Sequence, residues 1–91
     1  MNYDKCVEQN KKALLKCLSN TVKNLRGDVS QSVIATKGDL SSSTINLIER
    51  GLKDPQFTTL FKLAETFEMK LSDFIKCIEK EIPENLTLID R

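Results

Sequence analysis

The side chains able to move a proton, hold a metal or attack a bond are scarce in this chain. Its 91 residues include no histidine. That removes at once the commonest general base, the Ser–His and Cys–His pairs of nucleophilic catalysis, and most zinc sites. Three cysteines remain, Cys6, Cys17 and Cys77, far apart and without a C-x-x-C spacing. An odd number without paired spacing points to a reducing compartment and to thiols serving as small apolar side chains on helix faces. With no metal cluster and no phosphate-binding glycine loop either, the expectation is a cytoplasmic protein that is not an enzyme and takes no metal and no cofactor. What the chain does carry is charge, unevenly placed. The net charge is only +1, yet residues 1–27 hold six Lys/Arg against two acids, residues 28–53 three of each, and residues 54–91 five against eight. One end is therefore suited to face an anion and the other to avoid it. The lysine run Lys11, Lys12, Lys16, Lys23 reads chiefly as a solvated helix face, with a phosphate track as the sharper alternative.

The elements that must position these groups are helices. Apolar residues are 40% of the chain, enough for one modest core, and Gly and Pro total only five, too few for a turn-rich β fold. Apolar runs of two or three residues exclude a transmembrane helix and a signal peptide. Leu14, Leu15, Leu18, Val22 and Leu25 recur at three- and four-residue steps and give one stripe of a long first helix, starting near Asp4 and stopped by Gly27. Ser30 is a good N-cap for a short helix over 31–37, and Ser41 caps another from 42 to about 50. Gly51 ends that one, and Asp54-Pro55 opens a loop. A fourth helix carries Phe57, Leu60, Phe61, Leu63, Ala64 and Phe67. A fifth carries Leu71, Phe74, Ile75, Ile78 and Ile82 and is ended by Pro83. The fold class is all-α, five helices about one core over 1–82, with 83–91 as a C-terminal tail.

Two short helices joined by a tight turn, 31–37 and 42–50, form a helix-turn-helix arrangement. Helices that cross steeply need a small residue at closest contact, which Ala35 supplies. The turn needs a residue tolerant of positive φ, either Gly38 or Asp39. Ile34, Leu40, Ile45 and Ile48 pin both helices to a third. In that setting Ser30-Gln31-x-x-Ile34-Ala35, Leu40-Ser41-x-Ser43-Thr44-Ile45-x-x-Ile48-Glu49-x-Gly51, Pro55 and Thr59-Leu60-Phe61-Lys62-Leu63-Ala64 resemble the phage-repressor and Cro-type (XRE) helix-turn-helix family. The resemblance runs from about Leu18 to Phe74. It implies a compact five-helix domain whose third helix enters the major groove of DNA while the second crosses the backbone.

Carried onto this sequence, the resemblance gives Gln31 a phosphate contact. It turns Ser42, Ser43, Asn46 and Leu47 to base edges, and sets Thr44, Arg50 and Lys53 near the backbone, with the capping Ser41 also counted among the DNA-binding residues. A helix turning about 100° per residue puts Ile45, Ile48 and Glu49 inward and Ser43, Leu47 and Arg50 outward. Asn46 is the one residue of this set able to pair two-pronged with adenine, and Leu47 either meets a thymine methyl, is simply exposed, or contacts another protein. Readout of this kind leans on A·T pairs and DNA shape. Between Leu25-Arg26 and Ser30-Gln31 the chain is about two residues shorter than is usual in the family. A gapped register keeps the apolar stripe in phase and places Arg26 against Glu49 as a structural ion pair; an ungapped one would place Asn24 there. The usual turn glycine is one position early, at Gly38, which leaves Asp39 in its place, and Glu68 stands where a helix-4 glycine is usual.

On helix 5, Ile75, Ile78 and Ile82 extend the apolar stripe beyond what the core requires. A two-fold dimer through them would set two recognition helices roughly 34 Å apart; the alternative is a tail folded back over the stripe. The resulting expectation is a homodimeric transcriptional regulator, a repressor with no room for a separate sensing domain, bound to a two-fold symmetric operator in double-stranded DNA and to no membrane. The alternative is a protein-interaction module on the same fold, such as an antitoxin binding a toxin.

Overall fold

The computed structural model describes residues 2–89, with side chains from Cys6 onward. It contains five helices: α1 (Asn2–Arg26), α2 (Gln31–Lys37), α3 (Ser42–Glu49), α4 (Phe57–Thr66) and α5 (Leu71–Glu79). No strand occurs among the described residues. α1 is 25 residues long, about 37 Å at the usual rise, and the molecule measures 43 × 24 × 23 Å. The C-terminal half of α1 carries the stripe that packs on the other helices. Leu18 and Val22 lie in a core with Ile34, Ala35, Ile45, Ile48, Leu63, Ala64 and Phe74. Six of these, Val22, Ile45, Ile48, Leu63, Ala64 and Phe74, have no exposed surface.

Three successive helices end in one device. After α2, Leu40 N donates to Ala35 O (2.8 Å) and Asp39 N to Thr36 O (3.3 Å). After α3, Leu52 N donates to Leu47 O (2.9 Å) and Gly51 N to Ile48 O (3.0 Å). After α4, Met69 N donates to Ala64 O and Glu68 N to Glu65 O, both at 2.9 Å. This is the Schellman arrangement, which needs a left-handed residue just past the helix. Asp39 (φ 54°), Gly51 (φ 72°) and Glu68 (φ 57°) fill that position. The positive φ in the α2–α3 turn therefore falls on Asp39. Gly38 has φ −92° and is needed for a different reason: a Cβ there would overlap Thr66 Oγ1 on α4. Thr66 is held by its bond to Lys62 O (2.7 Å), so the turn sits directly on α4.

α5 is shorter than its apolar pattern predicts. It stops at Glu79, and Glu81 and Ile82 bond back three residues, to Ile78 and Glu79, each at 3.0 Å. Such bonds tighten and end a helix, and Ile82, next to Pro83, is in any case biased away from helical geometry. Ile78 belongs to the core, 9% exposed, and Ile82 is half-buried against it. The expected three-residue stripe is therefore not free as an outer face; of the three, only Ile75 is exposed, at 39%. The excess has a cause in the chain itself. Cys17 and Leu18 of α1 complete the core around Ile78, and the segment after α5 returns antiparallel along α1. Cys17 Sγ donates to Glu81 O (3.3 Å), Asn20 Nδ2 to Glu81 Oε1 (3.4 Å) and Asn10 Nδ2 to Thr87 O (2.9 Å).

Candidate nucleic-acid interface

α3 is held from beneath. Ile45 and Ile48 are fully buried, and Ser41 caps the helix by accepting from Thr44 N (3.0 Å). The Ser41 and Thr44 hydroxyls also bond to each other (2.8 Å), so these two expected contact residues are first of all the fastening of the helix start. Ser30 plays the same part for α2, accepting from Val33 N (3.2 Å). Turned away from the core are Ser42, Ser43, Leu47 and Arg50, all exposed. Leu47 is 37% exposed. Asn46 and Thr44 are half-buried on the flanks, and Lys53 is half-buried in the loop beyond.

The underside of this surface is polar and fully connected. Glu49, 4% exposed, receives Arg26 two-pronged: Nε to Oε2 at 2.6 Å and Nη2 to Oε1 at 2.8 Å. It is Arg26, not Asn24, that meets Glu49, so the gapped register is the one the chain adopts. Arg26 Nη1 also donates to Val29 O (2.8 Å), which fastens the α1–α2 loop. Gln31 Nε2 donates to Glu49 Oε1 (3.0 Å), and Asn46 Nδ2 donates to Gln31 Oε1 (3.4 Å). Burial alone would raise the Glu49 carboxyl. The hydrogen bonds from Arg26 and Gln31, with the charges of Arg26 and Lys23, outweigh it and hold Glu49 below the usual carboxylate range. Glu49 is thus an anion at neutral pH, and its bond holds the Arg26 guanidinium firmly charged.

Two members of this arrangement escape a reading of the sequence. Ser19 of α1 is fully buried and its hydroxyl donates to the backbone oxygen of Glu49. It tethers the end of α3 to α1, and its one signal is a small polar residue inside an apolar stripe. The Gln31–Asn46 bond is the other. Asn46 and Glu49 are three apart on α3 and so share a flank, but spacing does not say that a residue from α2 bridges them. The cysteines are distributed as small side chains: Cys6 exposed, Cys17 buried, Cys77 between. Burial, followed by the Glu81 charge, pushes the Cys17 thiol up, which keeps it protonated and unreactive. Among the described residues no cluster suited to a metal ion occurs, and no helix is long and apolar enough to cross a membrane.

Two short capped helices packed on each other, with Ala35 buried on the first and the second presenting a largely polar outer face and locked to a long support helix by an ion pair, define a helix-turn-helix protein. A family model for the helix-turn-helix of the XRE type, the one shared by Cro and the lambda repressor, matches residues 22–74. That is more than half of the chain, and the chain belongs to this family of DNA-binding regulators. Comparison with curated proteins and with solved structures gives no match. The matched span begins at the buried Val22 and ends at the buried Phe74, so it takes in most of the core and the outer face of α3 together, with Cys17, Leu18 and Ile78 of the core lying outside it.

Proposed function

We propose that the protein is a cytoplasmic, sequence-specific transcriptional repressor that inserts α3 into the major groove of a two-fold symmetric operator. One observation carries this reading: the outer face of α3, Ser42, Ser43, Leu47 and Arg50, is exposed while every other side of the helix is fastened. Gln31 and Lys53 flank it on the phosphate side. The small serines allow close approach to base edges, Leu47 suits a thymine methyl, and Asn46 suits adenine. A second copy would bind through Ile75 and the shallow apolar groove beside it, about 250 Å³, formed with Leu14, Leu15, Pro55 and Leu60. Selection of bound duplexes from a random-sequence library tests the reading. It expects a symmetric site whose binding weakens steeply with salt; a library that enriches no site overturns it.

A second reading has its own support. Leu52, Phe57 and Phe61 are 62%, 69% and 46% exposed, and Phe57 and Phe61 line an apolar groove of about 530 Å³ with Leu71. Apolar surface of this kind suits a protein partner, as in an antitoxin that binds a toxin. Failed selection of DNA together with capture of a co-encoded protein on this groove would favour it.

A further inference from the structure

Asn46 is the residue best suited to read a base, and its amide is already in use. The bonds that use it have a direction. A carboxylate only accepts, and a side-chain amide donates from nitrogen and accepts at oxygen. Glu49 Oε1 lies 3.0 Å from the Gln31 amide. The Gln31 nitrogen must therefore face Glu49, and its oxygen must face the other way. There it meets Asn46 at 3.4 Å, and an amide oxygen accepts only from a donor, so Asn46 offers its nitrogen. Among the described residues no buried side-chain oxygen or nitrogen lacks a partner. Among the described residues Asn46 Oδ1 has no hydrogen-bond partner, so it is not a fully buried atom. The direction does not depend on how the two amides are drawn, because the charged end of the chain allows only one assignment.

We propose that Glu49 and Gln31 are specificity-determining positioning residues, which fix the polarity of the Asn46 amide so that it presents Oδ1 outward, an acceptor for a base-edge amino group. This rests on the DNA-binding reading and sharpens it. In the major groove amino donors belong to adenine N6 and cytosine N4, whereas guanine and thymine present acceptors at the corresponding place. Adenine adds N7 next to its donor, which the second Asn46 Nδ2 hydrogen can reach. A free asparagine flips its amide and meets guanine O6 and N7 with its nitrogen; the Glu49–Gln31 chain opposes that flip. Arg26 contributes by keeping Glu49 ionised. Were Glu49 neutral, its carboxyl would offer a hydrogen as well as accept one, and the direction of the chain would be lost.

The test uses the full chain with Gln31→Met, and Gln31→Ala as a second variant; Gln31 is half-exposed and outside the core, so Arg26–Glu49 and the fold remain. The first readout needs no DNA. Exchange of the Asn46 side-chain amide protons with water, followed by NMR at neutral pH, should be several-fold faster in both variants than in the parent chain. Equal exchange in all three overturns the relay, whatever the protein binds. The second readout is binding to duplexes that differ only at the base pair facing Asn46. The parent chain should prefer adenine to guanine there by about tenfold, and the variants by about two- to threefold. Losing a phosphate contact at Gln31 lowers affinity for both duplexes together and leaves this ratio unchanged, so an unchanged ratio with weaker binding overturns the proposal. If no duplex binds at all, the repressor reading fails, while the exchange measurement still decides the relay.

Discussion

Arg26→Met leaves the Glu49 carboxylate, 4% exposed, without its main partner. Removing one member of a deeply buried pair costs about 3–5 kcal/mol. Arg26 is itself 21% exposed, and the Gln31 bond and the Lys23 charge remain, so a loss of about 2–4 kcal/mol is expected, toward the low side of that range. A chain of this size has roughly 5–13 kcal/mol in all, and the melting temperature should fall by roughly 10–25 °C. The pH dependence checks the cause. In the parent chain Glu49 is held below its unfolded value, so its contribution is complete above about pH 5 and is lost as pH falls through the folded value. In the variant, burial is the cause left to dominate and pushes the carboxyl up. A carboxyl raised on folding destabilises as pH rises, so the variant recovers on acidification while the parent does not. Urea unfolding followed by circular dichroism at pH 7.5, 6 and 4.5 should show the gap between the two chains narrowing toward acid. A gap below about 1 kcal/mol at pH 7.5, or one constant across the range, refutes the reasoning. Adding Glu49→Leu should restore most of the loss, because no charge is then stranded.

Three further outcomes follow from particular contacts. Gly38→Ala should cost about 1–3 kcal/mol in the same urea assay, since its Cβ overlaps Thr66 Oγ1, and Thr66→Ala in the same chain should reduce that cost. Glu68→Gly should raise stability by about 0.5–1 kcal/mol, because the position is left-handed at φ 57°; lower stability would mean that the Glu68 side chain contributes elsewhere. Ile78→Glu should unfold the chain, whereas Ile75→Glu should leave it folded and shift sedimentation toward the monomer, and a folded Ile78→Glu would contradict the core assignment.

The parts of this fold legible in the sequence are those set by local rules. Ser30 and Ser41 mark the starts of α2 and α3 because a hydroxyl there satisfies a free backbone N–H. The apolar stripe carried the register across the short α1–α2 connection, since slipping it moves Val22 and Leu25 off the buried face. What was not legible depends on meeting a distant segment. Gly38 and Asp39 were equal candidates for positive φ because glycine is used both for left-handed backbone and for close approach, and only the position of Thr66 on α4 separates the two uses. Ile75, Ile78 and Ile82 share a face by periodicity, but periodicity names no partner. α1 turns out to cover Ile78, while Ile75 is left open. At the site, residue types on α3 indicated an outer face, while the Glu49–Gln31–Asn46 bonds depend on how α2 is set against α3.

The role of α3 as the reading element is decided by which face of the protein meets DNA. Backbone amide NMR during titration with a duplex recovered by selection, at low salt, measures this residue by residue. The largest changes should fall at residues 31–33 and 42–53, that is the start of α2, the outer face of α3 and the loop carrying Lys53, with α4 and α5 little affected. Changes centred on Phe57, Phe61 and Leu71 with α3 unmoved, or none at any position, would contradict α3 as the reading element.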